Sequence, residues 1–141
     1  MIRCLHIALC MLLLSGCYKD EIDLDTLNDN PFDREYEGPS PFYDVQSSTE
    51  WVTLQGQQVQ RQVITFRVNE ELFLSPVAGY SVYVHEIGTS VSQVLQPDPP
   101  VSNRFKYYRI DQPLFGVPVC LEARLGNNQS TAGASTICAT L

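Results

Sequence analysis

Between residues 42 and 141 the chain consists of short runs in which apolar and polar side chains alternate one by one. This period of two limits the fold more than any other feature. Gly79-Tyr80-Ser81-Val82-Tyr83-Val84-His85 is the clearest case, with Tyr80, Val82 and Val84 on one face and Ser81, Tyr83 and His85 on the other. A pleated strand sends successive side chains to opposite faces, so such a run buries one face and wets the other. Gln62–Val68 repeats the pattern, with Ile64, Phe66 and Val68 set against Val63, Thr65 and Arg67. Glu50–Leu54 reads as the strand before it and Gln55-Gly56-Gln57 as the turn between them. A weaker strand at Val91–Leu95 follows the turn Ile87-Gly88-Thr89-Ser90, and Pro97-Asp98-Pro99-Pro100 stops it, because proline offers no ladder donor. Arg104–Ile110, Val117–Leu125 and Ser135–Leu141 bring the total to about seven strands. With no helical period in this stretch, the expectation is an all-β, antiparallel immunoglobulin-like sandwich. Its core is expected to hold Trp51, Ile64, Phe66, Val68, Tyr80, Val82, Val84, Val119, Leu121 and Ile137.

The first residues follow different rules. Arg3 is followed by a run, Cys4–Leu14, that is apolar apart from His6. As a helix this run would cover only about 16 Å, against roughly 30 Å of bilayer hydrocarbon. It is too short to span, and its charge-then-oil layout is that of a secretory signal. Leu14-Ser15-Gly16-Cys17 resembles the lipobox of bacterial lipoproteins, an aliphatic residue and two small ones before a cysteine. The resemblance implies that residues 1–16 are a signal peptide, recognised through Leu14, Ser15 and Gly16 and removed before Cys17. Cys17 would then carry the lipid and be the attachment to the bilayer, held stably by two or more acyl chains such as palmitate. An ordinary secretory signal with a chance cysteine is the competing reading. Lys19, Asp20 and Glu21, just after that cysteine, resemble the export signal of surface lipoproteins in Bacteroidetes-type bacteria. They imply the outer leaflet of the outer membrane, exposed at the cell surface; a polar tether on the periplasmic face is the alternative. Asp25-Thr26-Leu27 matches a short O-glycosylation pattern of such proteins, which makes Thr26 a candidate acceptor.

Charge separates the tether from the body. From Tyr18 to Asp44 nine acids face two bases, a net of −7, whereas from Val45 onward seven acids face six bases, a net of −1. Acidic, proline-punctuated sequence of this kind buries too little apolar surface to fold alone. Residues 17–41 are therefore expected to be a lipidated tether and residues 42–141 the sandwich domain. A nearly neutral body has no basic footprint for nucleic acid.

A second resemblance covers the body. Val77-Ala78-Gly79-Tyr80-Ser81-Val82-Tyr83-Val84 is similar to the third strand of fibronectin type III domains, and Val117–Ala123 with Asn127-Asn128 and Ser135 to their last hairpin. Two residues depart from that pattern. No corner tyrosine lies near Val117, and Trp51 is in the first strand instead of the second.

Catalytic chemistry finds little support. His85 is the only histidine beyond the signal segment, and the pair His85-Glu86 is a poor metal-ligand set. No nucleophile elbow, phosphate-binding loop or zinc-protease motif occurs. Glu70-Glu71 sit in an expected loop and are read as turn residues, so neither enzyme activity nor a cofactor is expected. The expected role is a surface binding or spacer module that meets an unknown protein or glycan through its loops. The alternative is an accessory subunit of an outer-membrane assembly, docked through the apolar run Leu72-Phe73-Leu74 unless that run packs in the core. Glycan binding would call for Tyr83, Tyr107 or Tyr108 to line one face.

The remaining cysteines follow from subtraction and register. Cys4 and Cys10 leave with the signal and Cys17 is lipidated, leaving Cys120 and Cys138 in an oxidising compartment. Placing Cys120 opposite Cys138 pairs Val119 with Ala139, Leu121 with Ile137 and Ala123 with Ser135, all apolar or small and on one face. A slip by one residue would exchange the faces. A disulfide is expected; two free thiols are the rival.

Overall fold

A computed structural model describes residues 29–73, 79–100, 102–127 and 130–141. The lipobox, the export triplet and Thr26 lie outside the described residues. Seven strands run in order: β1 (Phe42–Leu54), β2 (Gln57–Val68), β3 (Ser81–Glu86), β4 (Ser92–Leu95), β5 (Arg104–Tyr108), β6 (Pro118–Gly126) and β7 (Ser135–Thr140). They form two antiparallel sheets, β1-β2-β5 and β4-β3-β6-β7, packed as an immunoglobulin-like sandwich.

Inward side chains of both sheets make one core. Ile64, Phe66 and Val68 from β2 meet Val82 and Val84 from β3 and Leu121, Ala123 and Leu125 from β6. Nine of the ten expected core residues are buried. Aromatic rings fill one end: Phe66 lies edge-on to Phe42 at 5.7 Å and stacked on Phe105 at 5.9 Å, and Tyr80 leans on Phe105 at 5.7 Å. Each such pair contributes roughly 0.5–1.5 kcal/mol beyond its buried area.

Strand β2 departs from simple alternation, since Gln62 to Phe66 are all buried. Val63 and Thr65 point to the outer face, where the neighbouring strands cover them. Glu50 of β1 accepts from Lys106 Nζ at 3.1 Å and from the Tyr108 hydroxyl at 3.0 Å, both on β5. Those side chains span the outer face of β2, and their stems shield it while their polar tips stay paired.

Trp51 is the tenth expected core residue, and the structure corrects it: the ring is 68 % exposed. Two features displace it. A bulge between Tyr43 and Gln46, with Asp44 at φ 52°, adds a residue to β1 and shifts its inward positions to Ser47, Thr49 and Trp51. The β1–β2 hairpin then outruns its sheet, because β5 pairs only with Val63 to Arg67 while Trp51 pairs with Gln60. Trp51 therefore has the parity of a core residue on an arm that has left the core. The arm closes at Gln55 (φ 51°) and Gly56 (φ 80°), two successive left-handed residues that match the twist of a two-residue hairpin.

The packed unit also reaches back before Phe42, the expected start of the domain. Pro31 and Phe32 are buried, with Phe32 4.9 Å from the Phe73 ring. The backbone N–H of Gly133 donates to the Asp33 carbonyl at 3.1 Å, and that of Asn69 to the Pro41 carbonyl at 2.8 Å. Phe73 also lies edge-on to Tyr80 at 5.3 Å. The candidate docking run is thus partly core at Phe73, while Leu74 lies outside the described residues.

Because every pairing is antiparallel, the loops sort into two ends. Residues 29–41, the described part of the segment before β1 (the leader), and the described parts of the β2–β3, β4–β5 and β6–β7 connections share one end. The tip of the arm, the β3–β4 turn, the β5–β6 loop and Leu141 share the other, called here the distal end.

Candidate functional site

The distal end gathers the apolar surface. Ten large hydrophobic side chains are exposed among the described residues, and seven of them are here: Trp51, Leu54, Ile87, Ile110, Leu114, Phe115 and Val117. Tyr43, Tyr83 and Val94 are the other three. Single exposed apolar residues are ordinary, and their concentration here makes the distal end the candidate site. Between the arm and the end of β5 lies a shallow cleft of about 330 Å³, lined by Val52, Leu54, Arg61, Tyr108 and Ile110 among others.

Beneath this surface a buried polar network fixes the β5–β6 loop. Glu86, at the end of β3, and Arg109, just after β5, are both buried. Arg109 Nε donates to Glu86 Oε1 at 2.9 Å, and the Tyr107 hydroxyl donates to Glu86 Oε2 at 2.7 Å. Both carboxylate oxygens are satisfied from the opposite sheet. The same guanidinium donates to the Gln112 carbonyl and lies 3.7 Å from Asp111 Oδ2. Burial, and then the hydrogen bond to Glu86, pushes the Tyr107 phenol well above its ordinary pKa.

Gln62, fully buried on β2, makes the second tie. Its Nε2 donates to Ser47 Oγ at 3.0 Å, its Oε1 accepts from the Leu114 N–H at 3.0 Å, and its backbone carbonyl accepts from the Arg109 N–H at 2.9 Å. Arg61 donates to the Arg109 carbonyl at 2.9 Å, and the Gly116 N–H to the Leu141 carbonyl at 3.2 Å. The loop is therefore held at Arg109, Gln112, Leu114 and Gly116 while Ile110, Leu114, Phe115 and Val117 stay in water. An apolar surface held this way loses little conformational entropy on binding, which favours affinity. The sequence carried one signal for this network, the Glu86 that breaks polar-out alternation at the end of β3.

Other expected residues are placed as follows. Tyr83 is exposed, its ring lying over Gly126, where an added Cβ would come within 2.4 Å of Cε2. Tyr107 is fully buried and Tyr108 is tied to Glu50, both in the other sheet. The three tyrosines do not line one face, so the condition set for glycan binding through them is not met. His85 contacts Ser92 Oγ at 3.2 Å, and no cluster of His, Cys, Asp or Glu suited to a metal occurs among the described residues. Glu70 accepts from the Tyr80 hydroxyl at 2.7 Å, and Asn69 caps the Glu71 N–H at 3.2 Å, so this acidic pair forms a turn.

Cys120 and Cys138 are joined, with sulfurs 2.07 Å apart, on the outward face of the β6–β7 hairpin. The register is Val119 with Ala139, Leu121 with Ile137 and Ala123 with Ser135, as the inward pairs required. No helix among the described residues is long and apolar enough to cross a membrane. No family model matches this chain, and no curated protein or solved structure matches it.

Proposed function

We propose that this chain is a lipid-anchored, non-catalytic β-sandwich module of the outer membrane that presents its distal end to a protein partner. One observation carries the reading: the leader packs at one end of the sandwich and the exposed apolar side chains gather at the other. If Cys17 is acylated, as its resemblance to a lipobox implies, Trp51, Leu114 and Phe115 face away from the bilayer. Lys19, Asp20 and Glu21 favour the cell surface as the side of display. The pre-set apolar loop also favours the second role, a subunit of an outer-membrane assembly, since lasting interfaces are more apolar than transient ones.

The test is capture after cross-linking on intact cells, comparing wild type with a Leu114→Ser/Phe115→Ser variant. A stoichiometric protein captured by wild type and lost from the variant supports the reading. If that protein also crosses the membrane, the subunit role follows. Equal capture by both would remove the distal end from consideration.

A further inference from the structure

We infer that the distal half of β1 pairs edge to edge, antiparallel, with the same strand of a second copy of this chain. The inference rests on the distal end being the binding end and names its partner. Among the described strands β1 hydrogen-bonds to β2 alone, so its other edge carries no ladder, although β7 of the facing sheet lies alongside part of the strand. In a hairpin closed by two residues, Leu54 and Gln57 exchange both hydrogen bonds, and alternate residues turn their backbone groups outward. Ser47, Thr49, Trp51 and Thr53 are those residues on β1. The opposite strand confirms the phase: Gln62, the partner of Thr49, uses its outward carbonyl to accept from Arg109 at 2.9 Å.

Sheet edges are ordinarily protected by bulges, prolines or charges. Here protection is confined to the half of β1 near the leader, where the bulge lies and Asp44 pairs with Arg67 at 3.2 Å. From Gln46 to Leu54 there is no proline, lysine or arginine, and the single charge, Glu50, is already paired with Lys106 at 3.1 Å. Trp51, at the middle of the unprotected stretch, is 68 % exposed.

Charge selects a copy of the same strand, running the opposite way. A two-fold axis through Trp51 sets Trp51 against Trp51, Thr49 against Thr53 and Glu50 against Val52. No like charges stand directly opposite, the two Glu50 being diagonal neighbours that each keep their own Lys106, and the aromatic pair lies between threonines on one face. Antiparallel pairing at the arms also sends the two acidic leaders, nine acids against two bases from Tyr18 to Asp44, to opposite extremes of the pair, so that two lipid-anchored copies would pair from facing bilayers. Parallel pairing would bring them together.

The lone tryptophan reports the outcome in the full chain purified in mild detergent. As concentration rises, the emission of Trp51 should move to shorter wavelength while sedimentation shows the protein mass doubling. Thr53→Pro removes an outward N–H and no ladder bond, and should weaken association on the order of tenfold. Trp51→Lys, at an exposed position, should do the same with an unchanged circular dichroism spectrum. A single monomeric mass with constant emission over the whole range overturns the inference, as does a dimer that both variants leave intact. A monomeric chain that still captures another protein through Leu114 and Phe115 overturns this inference alone and leaves the proposed function standing.

Discussion

Tyr80 and Tyr107 each spend their hydroxyl on a carboxylate, Glu70 and Glu86 respectively, at 2.7 Å. In both, burial is the larger cause of a raised pKa and the hydrogen bond adds to it. The unfolded chain releases these protons near the ordinary tyrosine value of about 10, and the folded chain only well above it. The stabilisation from keeping both phenols neutral is therefore complete below about pH 10 and falls as pH rises beyond it. We expect the urea midpoint to drop steeply above about pH 10, with part of the phenolate absorbance appearing only as the protein unfolds. A smooth phenolate titration of the native protein would contradict this. Trp51 carries a different lesson at the same scale. Its place in a strand was legible, but strand parity reports which face a side chain takes, not whether a second sheet lies opposite that face.

Among the elements, the β6–β7 hairpin was the most legible and β1 the least. In the hairpin, three inward pairs, the cysteine pair and the face-switching effect of a slip all demanded one register. In β1 the polar stretch Gln46–Thr49 concealed the strand, and the bulge at Asp44 has no residue signature beyond a tolerance for positive φ. The leader concealed its contribution too, since one phenylalanine among acids reads as tether until Phe73 and Tyr80 are seen around it. The hairpin also gives the clearest stability expectation. Its disulfide closes a sequence separation of 18 residues, worth roughly 3 kcal/mol in the chain-entropy model. Both sulfurs lie on the outward face, so Cys120→Ser/Cys138→Ser removes the cross-link without opening a core cavity. We expect a loss of about 2–4 kcal/mol in denaturant unfolding, with the sandwich still formed under native conditions. A loss below about 1 kcal/mol would show that the bridge adds little to a hairpin already fixed by packing.

For the whole molecule, attachment is the property on which the display role depends. Cys17→Ala should leave the sandwich intact and move the protein from the detergent phase to the aqueous phase on phase separation, because acyl chains supply the affinity for the bilayer. A variant still in the detergent phase would have another anchor. The arrangement of the two ends then has a mechanical consequence. Strand β1 starts at the leader end and runs through its bulge into the arm, so one covalent chain of 13 residues joins the leader side to Leu54 at the tip of the arm. At about 3.3 Å per residue, that is roughly 43 Å of backbone. A pull on the arm is carried lengthwise by peptide bonds, and the hydrogen bonds between strands bear little of it. A pull on the β5–β6 loop must instead cross between strands, through β5 to β2 or through β6 to β3, and would shear the ladders that hold the sandwich closed. With the leader anchored as proposed, the arm is the tensile member of this fold, and a pull on it strains the tether before the domain gives way.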